Sequence, residues 1–170
     1  MGNISIILGS NRSGKSRYAE TLVSQLDGEK VYLATMIPVT EENRHQIRKH
    51  QIQRQGIGFQ TIECPYSIDQ CDIPLDCIIL LEDLSNLLGN ELFLKHRTKQ
   101  AVLEELLTLS EVCKHLIVVS ISGLDKKMYE DETAFYIQQL NDLNADLIEK
   151  ADFVVEMKDG HALIKKGGTL

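Results

Sequence analysis

Residues 9–16 read Gly9-Ser10-Asn11-Arg12-Ser13-Gly14-Lys15-Ser16. This run matches the phosphate-binding loop pattern G-x-x-x-x-G-K-[ST], the P-loop, at every position. Gly9 and Gly14 permit backbone conformations that bring a row of N–H groups around phosphate oxygens. Lys15 can reach the β- and γ-phosphates of a nucleotide, and the Ser16 hydroxyl can bind Mg²⁺. The stretch therefore predicts a nucleotide site formed by all of residues 9–16, with Ser16 as a ligand of Mg²⁺.

The segments on either side of the loop have the patterns that a P-loop requires. An apolar, β-branched run from Ile4 to Leu8 precedes the loop, and apolar residues at helical spacing from Ala19 to Leu26 follow it. A helix that begins near Lys15 would also point its positive N-terminal end at a phosphate. The alternative, a chance Gly/Ser loop between a strand and a helix, is disfavoured by the full match.

Apolar runs alternate with helical patterns along the rest of the chain. Further strands are predicted at 30–34, 59–63, 77–81, 116–120, 153–157 and 161–164, and further helices at 41–54, 85–93, 98–112 and 133–151. Asp159-Gly160 is a strong hairpin signal between the last two strands. We predict one domain over residues 1–170 with an α/β, P-loop NTPase-like fold: a mainly parallel sheet, helices on both faces and a C-terminal antiparallel hairpin.

Two acids directly follow the apolar run that ends at Leu81. Ligands of such sheets bind at the carboxyl ends of the strands, which places Glu82 and Asp83 on the same edge as the P-loop. We predict that Glu82 helps Ser16 to hold Mg²⁺. Asp83 is expected to cap the helix that begins near Ser85. A surface acid without a metal role is the simpler alternative for Glu82.

Composition narrows the classes of partner. A net charge of -7 and a pI of about 5.2 argue against nucleic acid as a partner. The chain shows neither a signal peptide nor an apolar stretch long enough to span a membrane, so we expect a cytoplasmic protein. Without a C-x-x-C spacing we expect all of the cysteines to be reduced, and Cys77 to be a small core residue; the four are Cys64, Cys71, Cys77 and Cys113.

The segment 41–54 is rich in cations and contains two histidines. His45 and His50 are five residues apart, so they do not share a helix face, and a zinc pair is disfavoured. A solvated charged helix is the simplest interpretation. However, phosphoryl and nucleotidyl transfer require cations and can use a histidine nucleophile. The guanine-reading motif Asn-Lys-x-Asp is not supplied by 123–127, which disfavours a regulatory GTPase.

Several motifs together resemble the bifunctional adenosylcobinamide kinase / adenosylcobinamide-phosphate guanylyltransferase family of cobalamin biosynthesis. The similar stretches are the P-loop continued through Arg17-Tyr18-Ala19-Glu20, then Tyr32-Leu33-Ala34-Thr35, 47–54, Thr61-Ile62-Glu63, the run into Glu82, Asn86, 90–93, and the tail from Gln139 through Asn144, Ala151-Asp152 and Gly160. The resemblance spans nearly the whole chain.

The resemblance implies a specific chemistry. Such enzymes phosphorylate the terminal hydroxyl of adenosylcobinamide with ATP or GTP, then transfer GMP from GTP to that phosphate through a GMP-histidine intermediate. His50 occupies the position of this histidine, and Lys15 would stabilise the leaving pyrophosphate. Ala34, Thr35, Glu63 and Glu82 would line the nucleotide site. The family implies a homotrimer that binds a corrinoid substrate.

Three departures keep other functions open. Gln46 and Phe59 replace an arginine and a tryptophan, and Ser120-Ile121-Ser122-Gly123-Leu124 replaces Ser-Asn-Glu-Val-Gly. Because an acid and an amide are missing after the fifth predicted strand, one of the two activities is open to loss. The alternatives are a P-loop small-molecule kinase without guanylyl transfer and a nucleotide-binding regulatory protein without turnover.

Overall fold

The computed structural model describes residues 2–168, which form a sheet with helices on both of its faces. Its strands are β1 (Asn3–Gly9), β2 (Lys30–Ala34), β3 (Phe59–Glu63), β4 (Ile78–Glu82), β5 (His115–Ile121), β6 (Phe153–Lys158) and β7 (His161–Lys166). Its α-helices are α1 (Lys15–Ser24), α2 (Glu41–Gln53), α3 (Leu84–Phe93), α4 (Lys99–Val112) and α5 (Asp131–Lys150). Two short 3₁₀ turns lie at Ile68–Gln70 and Lys126–Met128.

The strand order is β3-β2-β4-β5-β1-β6-β7. All neighbouring strands are parallel except β6 and β7, which form the antiparallel hairpin at one edge. Asp159 and Gly160 both have positive φ, 49° and 77°, as the two-residue turn that Asp-Gly favours requires. The predicted mainly parallel α/β sheet with a C-terminal hairpin is therefore confirmed.

Side-chain alternation along the strands creates two apolar layers. On β1, Ile4, Ile6 and Leu8 pack with α3, α4 and α5, whereas Ile7 faces the other side of the sheet. Ala19 and Val23 of α1 cover that second side. The central strands are buried on both faces, which explains why their sequences are continuous apolar runs. The prediction of helices on both faces is confirmed.

Helix α2 contributes little to either layer, because none of its residues 41–53 is buried. It begins at a capping box in which the Thr40 hydroxyl and the Asn43 side chain satisfy each other's backbone N–H groups. Its end is anchored by Arg54, which is buried with its guanidinium carbon 3.4 Å above the Tyr32 ring. In the described residues, no helix is both long and apolar enough to cross a membrane.

The cysteine prediction is wrong for one pair. Cys64 and Cys71 form a disulfide, with their Cα atoms 6.4 Å apart. Cys64 directly follows β3, and the 3₁₀ turn at Ile68–Gln70 folds the chain back so that Cys71 meets it. The spacing of the two residues does not reveal this reversal, since only the turn brings them together. Cys77 and Cys113 are free and buried, and Cys77 is a core residue as predicted.

Candidate nucleotide site at the carboxyl edge of the sheet

The loop between β1 and α1 has glycine conformations of the kind that a phosphate cradle requires. Gly14 caps α1 with φ 95°, in the left-handed region that favours glycine. A Cβ on Gly9 would overlap the Ser13 hydroxyl and lie 2.9 Å from the carbonyl oxygen of Met157. Asn11 and Arg12 are exposed at the crest of the loop. Gly14 is thus required for its positive φ, and Gly9 is required because a side chain would not fit there.

Two polar side chains of the loop, those of Lys15 and Ser13, make no side-chain hydrogen bond outside the loop among the described residues. Lys15 donates from Nζ to the carbonyl oxygen of Ser10, at 2.6 Å, so its ammonium group turns back onto the loop. Burial lowers the pKa of Lys15, and the nearby Asp83 and Glu82 oppose this shift. The Ser13 hydroxyl is buried without a hydrogen-bond partner. The Gly160 amide donates to the Ser13 carbonyl at 3.1 Å, which fixes the cradle against the hairpin.

Glu82 meets the P-loop as predicted. The Ser16 hydroxyl donates to Oε1 of Glu82, and the Tyr32 hydroxyl donates to Oε2 at 2.9 Å. Burial raises the pKa of Glu82 to about 8, Glu20 and Asp83 add to the rise, and the hydrogen bond from Tyr32 opposes it. Hydroxyl and carboxylate oxygens are the ligands that Mg²⁺ prefers. Ser16 and Glu82 therefore fit the magnesium site that the sequence predicts.

His50 projects from α2 to the same edge of the sheet. One of its ring nitrogens and one carboxylate oxygen each of Glu20 and Glu82 all lie within 4.8 Å of one another. Nδ1 of His50 is buried without a hydrogen-bond partner. Burial lowers the pKa of His50, Arg54 and Lys49 lower it further, and Asp83 opposes them. The structure thus brings the histidine that the sequence singles out to the acid beside the P-loop, whereas His45 is exposed.

Asp83 and Thr35 join the ends of two neighbouring strands. Asp83 caps α3 by accepting from the Asn86 amide at 2.8 Å, so its predicted capping role is confirmed. The buried Thr35 hydroxyl accepts from the Asp83 amide and donates to the Asp83 carbonyl, each at 2.8 Å. Asn90 donates to the Thr35 carbonyl at 2.9 Å. These bonds join the backbone after β2 to the backbone after β4 beside the P-loop.

Glu63 lies farther out along the edge. Ala34 is in register with Glu63 on one side and with Glu82 on the other. Two strand spacings separate Glu63 from Glu82, or roughly 10 Å. Glu63 is exposed and lines a cleft of about 550 Å³ together with Pro38, Glu41, Arg44, Ile47 and Arg48. The cleft opens between α2, the segment after β2 and the end of β3.

Two residues of this site were not assigned by sequence reasoning. Glu20 is buried, and its Oε2 accepts from Gln53 of α2 at 2.5 Å. Its signal is the four-residue spacing from Ser16, which puts both on one face of α1. Tyr32 is two residues before the end of β2, and alternation puts it on the same face of the strand as Ala34. The sequence does not single out Glu20 or Tyr32 as site residues, because each also fits a purely structural role in its helix or strand.

The sheet order and the loop between β1 and α1 define an α/β protein with a P-loop-like fold. Over residues 5–164 the chain matches the cobinamide kinase / cobinamide phosphate guanyltransferase family (CobU), and it belongs to that family. The resemblance drawn from the motifs is thereby confirmed. Membership supports a role for the chain in cobalamin biosynthesis.

A curated relative is similar over part of its length. The chain is 33% identical over 91 residues to the bifunctional adenosylcobalamin biosynthesis protein CobU of Salmonella typhimurium strain LT2. The alignment covers 52% of this chain and 49% of the relative, so the chain matches about half the length of that protein.

Proposed function

We propose that the chain is a bifunctional enzyme of cobalamin biosynthesis. It phosphorylates the terminal hydroxyl of adenosylcobinamide with ATP or GTP, and it transfers GMP from GTP to the resulting phosphate. Family membership supports the reaction class. The observation that carries the assignment is the position of His50. One of its ring nitrogens lies within 4.8 Å of a carboxylate oxygen of Glu82, the acid that bonds Ser16 of the P-loop. A nucleophile and a phosphate cradle thus share one edge of the sheet.

Residues 9–16 bind the phosphates of the nucleotide in this proposal. Backbone N–H groups of the loop and the N-terminus of α1 face the phosphate oxygens, and the glycines leave room for this approach. Lys15 exchanges its bond to the Ser10 carbonyl for a phosphate oxygen. Ser16 and Glu82 would hold Mg²⁺, which would supply charge neutralisation for the leaving phosphate groups.

His50 attacks the α-phosphorus of GTP. A bond forms between a ring nitrogen and phosphorus, while the bond between the α-phosphorus and the bridging oxygen breaks and pyrophosphate leaves with the electron pair. The phosphate of the corrinoid then attacks the same phosphorus, and the electron pair of the breaking P–N bond returns to the imidazole. The lowered pKa of His50 keeps the ring neutral and nucleophilic near pH 7.

The remaining assignments follow from the family resemblance. We propose that Ala34, Thr35 and Glu63 contact the nucleotide, since they follow the P-loop along one edge of the sheet. The corrinoid is the acceptor in both steps. The chain acts as one cytoplasmic domain that assembles as a homotrimer, for which light scattering provides the check.

The experiment uses GTP labelled at the α-phosphate with Mg²⁺. We expect the protein to acquire an acid-labile, base-stable label that His50→Ala abolishes and His45→Ala retains. Addition of adenosylcobinamide phosphate should release the label as the guanylylated corrinoid. A protein that binds GTP but acquires no label would contradict the guanylyl-transfer half of the proposal.

A kinase without guanylyl transfer is the second candidate, since the segment after β5 departs from the family pattern and leaves one of the two activities open to loss. Ser122 replaces the acid of the family pattern, and its amide donates to the Gly9 carbonyl at 3.0 Å, so the departure lies against the P-loop itself. Phosphorylation of adenosylcobinamide without any protein label would establish this function. Nucleotide binding without either reaction would indicate a regulatory protein.

A further inference from the structure

We propose that Glu20 is the positioning residue for His50. Its free carboxylate oxygen accepts a hydrogen bond from Nδ1–H of the imidazole, and this bond directs Nε2 at the α-phosphorus. This inference rests on the proposed guanylyl transfer and adds to it the group that orients the nucleophile. It assigns a role to an acid of α1 that faces α2 across the edge of the sheet.

The first observation is a pair of buried atoms that both lack partners. Oε1 of Glu20 and Nδ1 of His50 are enclosed in the protein, and neither has a hydrogen-bond partner among residues 2–168. The two side chains lie in one cluster, in which ligand atoms are within 4.8 Å of one another. An unsatisfied buried donor or acceptor costs about 1–3 kcal/mol. A hydrogen bond from Nδ1–H of His50 to Oε1 of Glu20 would satisfy both atoms at once.

The second observation is that Glu20 is held in place from the helix that carries His50. Gln53 of α2 donates to Oε2 of Glu20 at 2.5 Å, and Glu20 itself is 3% exposed. Gln53 follows His50 by three residues, so both side chains lie on the same face of α2. The bond from Gln53 therefore docks that face on Glu20 and leaves Oε1 for the imidazole.

Among the described residues, Glu20 is the acid near His50 that has a buried carboxylate oxygen without a hydrogen-bond partner. Each oxygen of Glu82 accepts a hydrogen bond from a hydroxyl group, one from Ser16 and the other from Tyr32. Asp83 uses Oδ1 to cap α3 and to accept from the Ser85 hydroxyl at 2.6 Å. Oε1 of Glu20 is thus buried and unpartnered among the described residues, and a carboxylate oxygen of Glu20 lies within 4.8 Å of a ring nitrogen of His50.

The consequence is a defined tautomer of the ring. A neutral imidazole carries one proton, and an acceptor at Nδ1 places that proton there and leaves the lone pair on Nε2. When Nε2 bonds to phosphorus, the ring becomes cationic, and the carboxylate of Glu20 stabilises that charge through the Nδ1–H bond. When the P–N bond breaks, the ring returns to the neutral Nδ1–H form, so protons and charges balance over the cycle.

The kinetic test compares Glu20→Gln and Glu20→Asp with the parent in single-turnover labelling by α-labelled GTP. We expect Glu20→Gln to slow label formation by about 10- to 100-fold, as when the partner of a functional histidine is removed. The loss should fall on the rate at saturating GTP rather than on the half-saturating GTP concentration, and Glu20→Asp should recover part of it. Glu42→Gln, which changes an exposed acid of α2, is the matched control.

A spectroscopic test does not depend on turnover. In ¹⁵N spectra of the nucleotide-free protein, the His50 ring, identified by its loss in His50→Ala, should be the Nδ1–H tautomer in the parent. Glu20→Gln should shift the tautomer balance or the Nδ1–H resonance, and Glu42→Gln should not.

The outcomes separate the two proposals. Labelling of Glu20→Gln at the parental rate, or a loss confined to GTP binding, would overturn the role of Glu20 while guanylyl transfer stands. If the parent acquires no label, guanylyl transfer fails, and the spectra alone decide whether Glu20 orients the ring. Stoichiometric Zn²⁺ bound through His50 in the parent would also overturn it, because a metal would then occupy the ring nitrogen.

Discussion

At position 14, the backbone conformation determines which residue the P-loop can accommodate. Gly14 caps α1 with a φ of 95°, and a Cβ there would meet only ordinary contacts at 3.5 Å and 3.6 Å. The requirement at this position is therefore conformational rather than steric. It sits at the start of the helix whose N-terminus would face the phosphates.

We expect Gly14→Ala to lower the free energy of unfolding by about 1–2 kcal/mol, because a left-handed conformation is unfavourable for alanine. It should also weaken nucleotide binding, since relief of the strain reorients the amides of the cradle. Urea denaturation and GTP titration measure the two effects. Gly58→Ala is the matched control: φ is 86°, nothing lies within 4 Å, and the residue is outside the site. A nucleotide affinity that falls equally in both variants would contradict the assignment of the loop.

The raised pKa of Glu82 gives the nucleotide-free, magnesium-free protein a pH signature. Between its ordinary value of 4.5 and the folded value of about 8, the native carboxyl keeps a proton that the unfolded chain releases. The stabilisation from this proton is present at low pH and is lost as pH rises through that window. Relative to Glu82→Gln, the free energy of unfolding of the parent should fall by at most about 1.4 kcal/mol for each pH unit of increase in this window.

The measurement for Glu82 is urea denaturation of the parent and Glu82→Gln at several pH values from 5 to 9. The difference in unfolding free energy between them should change up to about pH 8 and level off above it. Glu42→Gln, an exposed acid, should follow the parent throughout. A difference that is independent of pH would show that the buried carboxyl is ionised over the whole range.

Secondary-structure elements differ in how far the sequence determines them. β2 and β3 begin and end where the patterns predict, because each is a short strand bounded by turn residues. α5 begins at Asp131, two residues before the predicted start, since Asp131 and Glu132 provide a favourable acidic first turn. The cradle and the Ser16–Glu82 pair are predictable because residue type and strand ends fix them. Glu20 and the disulfide are not, because each depends on which elements pack together.

The disulfide fixes the segment directly after β3. It closes a short loop between Cys64 and Cys71, and such a loop contributes about 2–3 kcal/mol through the entropy of the unfolded chain. Cys71→Ser should lower the free energy of unfolding of the oxidised protein by about that amount. A reductant should bring the parent to the same value and leave Cys71→Ser unchanged, as measured by urea denaturation. A parent that is insensitive to reductant would contradict the bond.

At the scale of the whole molecule, the parallel sheet assembles the site from distant parts of the chain. The P-loop follows β1, Thr35 follows β2, and Glu82 ends β4, so parallel packing brings all three to one edge. α2, which buries none of its own residues, then brings His50 over that edge. Docking of this polar helix depends on a few contacts, among them those of Gln53 and Arg54.

Nucleotide binding should stabilise the folded protein, because the site exists only when distant parts of the chain are folded together. At a GTP concentration 100-fold above the dissociation constant, with Mg²⁺, the free energy of unfolding should rise by about 2.7 kcal/mol. Denaturation with and without the nucleotide measures this rise, and Lys15→Met should largely remove it. Equal stabilisation of the parent and Lys15→Met would place the nucleotide elsewhere on the protein.

The central claim is that His50 carries GMP, and peptide mass spectrometry of the protein treated with GTP and Mg²⁺ tests it most directly. The account predicts one GMP per chain on the proteolytic peptide that contains His50, absent in His50→Ala and removed by adenosylcobinamide phosphate. Modification of a different residue, or an unmodified His50 peptide in a protein that consumes GTP and forms the guanylylated corrinoid, would contradict it.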